Sequence, residues 1–119
     1  MKDFKKLKVW EKAHALTLRI YQVSRSFPRE ELYGLTSQMR RAAASIPTNI
    51  AEGYGRGRDT EFARFMEISS GSSCELEYQL MLAHDLKYLP RDELESLSAE
   101  LAEVKRMLNV FVKKLKAIG

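Results

Sequence analysis

From Leu94 to Ile118 the apolar residues come at alternate steps of three and four: Leu94, Leu97, Leu101, Val104, Leu108, Phe111, Leu115 and Ile118. That spacing winds a single apolar seam along an α-helix, and only neighbouring helices can cover a seam of this length. The same spacing runs through Val9, Ala13, Leu16, Ile20, Val23 and Phe27 and predicts a helix from about Leu7 to Phe27. It returns in Phe62, Phe65, Met66, Ser69, Ser73, Leu76, Leu80, Ala83 and Leu86. There it predicts a helix from about Asp59 to Leu89, with Asp59 or Thr60 as N-cap. No stretch sustains the period-two alternation of a half-buried strand, so no sheet is expected.

Breaks at Phe27-Pro28, at Gly53-Tyr54-Gly55-Arg56-Gly57 and at Leu89-Pro90 divide the 119 residues into four pieces, each long enough for a helix, with no linker between them. The second piece begins near Leu35 and contains Pro47, which removes one backbone donor and crowds the carbonyl of Ala43. The expectation is one all-α domain over residues 1–119, an antiparallel up-down-up-down four-helix bundle whose second helix is kinked at Pro47. The run Ala42-Ala43-Ala44-Ser45 and the run Ser69-Ser70-Gly71-Ser72-Ser73 carry little side-chain bulk, so helices two and three should approach closely there. Gly53, Gly55 and Gly57 read as a helix terminator, because no strand precedes them and no Lys-Ser/Thr pair follows as a phosphate loop requires.

In that topology the start of helix one, the loop between helices two and three and the end of helix four share one pole. Residues 1–13 carry +3 and residues 105–119 carry +5, while residues 52–64 balance at zero. A formal net charge of only +4 therefore conceals a pole of about +8 and a remainder of about −4. The candidate nucleic-acid contacts are Lys2, Lys5, Lys6, Lys8, Arg56, Arg58, Arg106, Lys113, Lys114 and Lys116, with Lys12 nearby and Phe4, Trp10 and Tyr54 interleaved. Basic side chains neutralise phosphates and exposed aromatic rings stack on unpaired bases, a pairing suited to RNA or single-stranded nucleic acid.

The residues offer little for catalysis. His14 and His84 lie far apart with no metal-ligand spacing, the single cysteine Cys74 stands beside Glu75 and reads as a small packing residue, and only Glu52 with Glu75 offers a carboxylate pair for a hydrolase. No enzyme activity, metal or cofactor is expected. One cysteine also excludes an intramolecular disulfide framework, no apolar run approaches the roughly 20 residues of a membrane span, and MKDFKKLKVWEKAHA lacks the apolar centre of a signal peptide. The expected location is the cytoplasm, away from membranes.

Residues 35–56, LTSQMRRAAASIPTNIAEGYGR, resemble the four-helix bundle family named after 23S ribosomal RNA intervening sequences. The likeness continues in FKKLKVW from Phe4, FPREELYG from Phe27, RFMEISSGS from Arg64 and Glu75-Leu76, and so spans nearly the whole chain. It implies a small helical bundle assembling as a homopentameric ring. A distant relative, the basic pentameric accessory protein of diversity-generating retroelements, works with a reverse transcriptase, so the resemblance also implies RNA or DNA, or a nucleic-acid enzyme, as partner. Arg40, Arg41, Ser45, Asn49, Glu52 and Glu75 match the polar part of the motif. Their spacing places Arg41, Ser45, Asn49 and Glu52 near one helical face, where they are expected to form a structural polar network that also answers the carbonyl freed by Pro47. Tyr21, Ile68, Tyr78, Leu82 and Val112 fall off the main apolar stripes and are expected to line a subunit contact. Two functions compete on these grounds: a non-enzymatic bundle bound to nucleic acid through its basic end, and a homo-oligomeric protein-interaction scaffold with no nucleic-acid role.

Overall fold

The computed structural model describes residues 3–118. Four helices, α1 (Lys8–Val23), α2 (Leu35–Gly55), α3 (Asp59–Asp85) and α4 (Arg91–Ile118), form an elongated all-α body of 45 × 21 × 20 Å. Cross-helix contacts fix the directions. Thr17 meets Ala43 and Arg40 meets Tyr21, Ser45 meets Ser72 while Gly53 meets Phe62, Glu77 meets Lys105 while Glu67 meets Lys116, and Lys12 meets Glu103 while Arg19 meets Glu100. In every pair one residue number rises as the other falls, so α1, α2, α3 and α4 are antiparallel around the bundle and α4 returns beside α1.

The predicted stripes meet inside. Leu16, Ile20, Met39, Ile46, Ile50, Met66, Leu76, Leu80, Leu97 and Leu108 are fully buried, and each such side chain contributes roughly 1.5–3 kcal/mol relative to exposure. The small-residue runs of α2 and α3 adjoin as expected: Ser69 donates to the Ile46 carbonyl at 2.9 Å, and the Ser45 and Ser72 hydroxyls bond at 2.8 Å.

Three boundaries differ from the sequence expectation. Helix α1 stops at Val23 and tightens into a 3-10 turn, Ser24–Ser26, where the Ser24 hydroxyl reaches the Ile20 carbonyl at 2.7 Å. Phe27 is then extended (ψ 154°), the conformation that a following proline favours. Helix α3 stops at Asp85 instead of reaching Leu89. Lys87 takes a left-handed φ of 68° while Tyr88 N–H donates to the Ala83 carbonyl and Lys87 N–H to that of His84, both at 2.9 Å, a Schellman end built without glycine. At the other end of α3 the cap is Arg58 backbone, not Asp59 or Thr60; Asp59 and Glu61 lie in the first turn beside the positive helix end.

Pro47 does not interrupt α2, which runs unbroken from Leu35 to Gly55. The carbonyl it leaves without a helical donor, that of Ala43, stands 3.1 Å from the Thr17 hydroxyl of α1. The partner therefore comes from the neighbouring helix and not from the polar set of α2. Of the three glycines read as a terminator only Gly57 acts as one, with φ 80° just past the helix. Gly53 is buried inside α2, where Phe62 and Phe65 press on it.

Candidate functional site

The antiparallel packing gathers the start of α1, the α2–α3 turn and the end of α4 at one pole. Tyr54, Phe62 and Phe111 pack there ring on ring, with centroids 5.4 and 5.5 Å apart, tying the end of α2 to the start of α3 and the end of α4. Asp3 caps a 3-10 turn, Phe4–Lys6, by accepting from the Lys5 N–H at 3.0 Å, and this turn sets Lys5 and Lys6 on the surface just before Lys8 opens α1. Arg58 closes the α2–α3 turn, and Arg106, Lys113, Lys114 and Lys116 follow along α4. Lys2 lies outside the described residues.

Carboxylates divide this set. Lys116 pairs with Glu67 at 2.9 Å and Arg56 with Glu52 at 2.8 Å, the Arg56 guanidinium also lying 5.2 Å over the Phe65 ring. Lys12 pairs with Glu103 at 2.9 Å, and its hydrogen bond, helped by the charges of Arg106 and Lys8, holds the Glu103 carboxyl below the ordinary carboxylate range. Among the described residues Lys5, Lys6, Arg58, Lys113 and Lys114 form no ion pair, and all five are exposed. These five leave the pole cationic, and Lys8 and Arg106 add to it, since the carboxylate whose charge they feel, Glu103, is already paired with Lys12. The interleaved aromatics Phe4, Trp10 and Tyr54 are all half-buried, Tyr54 packing against Phe62 and Phe4 against Trp10.

The polar set of the motif does not form one network. Arg40 turns to α1, donating to Ser24 Oγ at 2.9 Å and lying 5.0 Å over the Tyr21 ring. Asn49 donates to the Ser45 carbonyl and hydroxyl at 2.8 and 3.0 Å, and Ser45 reaches Ser72. Arg41, Ser45 and Glu75 line a polar cleft of about 500 Å³ between α2 and α3 together with Gln38 and Ser72, and Glu75 accepts from buried Gln79 at 3.3 Å. Glu52 belongs to neither group. Its exposed pair with Arg56 is worth no more than about 0.5 kcal/mol, so Glu52→Ala should move the thermal midpoint by less than about 2 °C; a fall of several degrees would restore the single-network view.

Successive residues such as Arg40 and Arg41 point about 100° apart and so reach different neighbours; helical spacing names a face but not the helix opposite. Thr17 and Ser24 were missed although both stand among apolar stripe residues, a position where a hydroxyl must find a carbonyl. The Glu31 carboxylate was missed too: it accepts from Leu35 N–H at 3.1 Å and from the Tyr88 hydroxyl at 3.0 Å, and this bond raises the Tyr88 pKa above its ordinary value.

Tyr21, Ile68 and Tyr78 are exposed as expected of contact candidates, whereas Leu82 and Val112 pack against the core. Cys74, expected as a packing residue, is exposed. His84 places Nδ1 2.9 Å from the Leu89 carbonyl, and His14 stacks on Trp10. Among the described residues no cluster of three or more His, Cys, Asp or Glu is arranged to hold a metal, and no helix is long and apolar enough to cross a membrane.

No curated protein matches the chain. A crystal structure of a protein with unknown function from the S23 ribosomal protein family of Bacteroides thetaiotaomicron VPI-5482 shares this fold, with a TM-score of 0.82 and 24% sequence identity over 88% of this chain and 95% of the other. The family model described as 23S rRNA-intervening sequence protein matches residues 5–110. With that match covering most of the chain, from Lys5 into α4 and ending before Lys113, the chain belongs to the 23S rRNA-intervening sequence protein family.

Proposed function

We propose that the chain is a non-enzymatic, cytoplasmic, homo-oligomeric bundle that binds nucleic acid, RNA first of all, through its cationic pole. The observation that carries this reading is the convergence of Lys5, Lys6, Arg58, Lys113 and Lys114 at that pole without acid partners among the described residues. Such an array binds phosphates with little regard to base sequence, and a single strand neutralised at about five phosphates loses affinity about tenfold for each doubling of salt. The family resemblance supports a homopentameric ring, which would repeat the pole fivefold and raise avidity with no new contact.

Lys113→Glu with Lys114→Glu is the informative substitution, because Lys116 already pairs with Glu67. Gel retardation of RNA at low salt should weaken by about tenfold, or about 1.4 kcal/mol. Light scattering on both proteins should still give a mass near five times 13.7 kDa. Unchanged retention would remove these lysines from the interface. No shift of RNA or DNA by the parent protein at micromolar concentration would remove the nucleic-acid reading altogether. The scaffold reading would then gain ground, favoured by Ile68, Tyr78 and Met81 standing exposed along α3.

A further inference from the structure

Phe4 and Trp10 meet edge to face with centroids 5.1 Å apart, and Trp10 lies parallel to His14 at 5.0 Å. The three rings line an open, mainly apolar groove of about 400 Å³, together with Ala44, Pro47 and Ala51 of α2. That volume falls in the range of small-ligand sites. His14, the last ring of the ladder, is exposed, and Phe4 and Trp10 are half-buried, so ring surface remains open to solvent. The turn that carries Phe4 also carries Lys5 and Lys6, both exposed and without an ion pair among the described residues.

Aromatic surface beside unneutralised ammonium groups matches a ligand that combines a planar ring with phosphate on either side of it. In a duplex the base faces are stacked inside and only edges and phosphates are offered; in a single strand each base can leave the stack and lie on a protein ring. We propose that the groove takes an unpaired nucleobase against the Phe4–Trp10–His14 ladder while Lys5 and Lys6 neutralise the flanking phosphates, so that the ligand of the cationic pole is single-stranded. This inference rests on the nucleic-acid reading of that pole and narrows it to one strand form.

Trp10 is the only tryptophan, so intrinsic fluorescence reports on the groove directly. The full chain is titrated at low salt with an oligouridylate and with an RNA duplex of the same length, retention being followed in parallel. The single strand should quench Trp10 and bind about tenfold more tightly than the duplex. His14→Ala, at an exposed position that leaves the core intact, should lower single-strand affinity about tenfold and leave duplex affinity unchanged; Phe4→Ala should act in the same direction. Equal retention of both ligands with unmoved Trp10 emission would overturn the groove assignment and leave the cationic-pole reading standing. Failure to retain either would overturn both. A shift of Trp10 emission with protein concentration alone would assign the groove to a second copy of the chain and likewise overturn the proposal.

Discussion

Gly53→Ala should destabilise the bundle by about 2 kcal/mol and lower the thermal midpoint by about 8 °C. A Cβ at this position would sit 2.6 Å from Phe65 Cβ and 3.0 Å from Phe62 Cδ1. The nearer atom is attached to the α3 backbone and cannot swing aside, so the helices must separate or shift along each other. At an ordinary exposed helical site the same substitution gains about 0.5–1 kcal/mol, because alanine loses less backbone freedom on folding. Gly55, two residues on in the same helix, has nothing within 4 Å of its would-be Cβ. Gly55→Ala is therefore the control and should stabilise where Gly53→Ala harms. Thermal melts of the two variants read opposite signs if α2 and α3 touch as described; a Gly53→Ala midpoint at or above the parent's would mean that the two helices do not close on this glycine. The contact bears on function because Arg56 and Arg58 leave α2 immediately beyond it.

The reason the same glycine was misread shows what periodicity can and cannot convey. An apolar stripe needs only a buried direction, and α1 and α4 lie close to where their stripes place them, while α2 begins at Leu35 as expected. Gly53 looked like a terminator because GYGRG has the composition of a turn, but its burial depends on Phe62 and Phe65 arriving from α3, nine and twelve residues later. The end of α3 was misplaced for the converse reason: Lys87 adopts the left-handed conformation that glycine ordinarily supplies, so no breaker marked it. The cationic pole was legible because antiparallel topology alone decides which ends coincide. Its partial neutralisation was not, since Lys116–Glu67 and Lys12–Glu103 depend on axial register between helices. The polar set dispersed because spacing along α2 is blind to whether α1, α3 or solvent lies opposite, and Glu52 found its partner one turn away on its own helix.

Thr17→Val should cost about 2 kcal/mol, a large effect for the loss of one hydroxyl with shape preserved, because it leaves a buried carbonyl without a donor. The Thr17 oxygen stands 2.8 Å from the Ala13 carbonyl and 3.1 Å from that of Ala43. Ala13 already has its helical donor one turn on, at Thr17 N–H in α1. Ala43 has none, since the residue four positions later is Pro47. The hydroxyl of α1 thus substitutes for the amide that α2 lacks. A double-mutant cycle isolates this coupling: Pro47→Ala restores an N–H to the Ala43 carbonyl, so Thr17→Val in that background should cost about 1 kcal/mol less than in the parent. Thr17→Ser, which keeps the donor, should retain most of the stability. Denaturant midpoints of the four cycle members decide the matter. Equal costs of Thr17→Val in both backgrounds would place the hydroxyl proton on Ala13 and leave the proline-freed carbonyl unanswered; a smaller cost in the Pro47→Ala background would establish that α2 carries its proline only because α1 presents a threonine at the matching height.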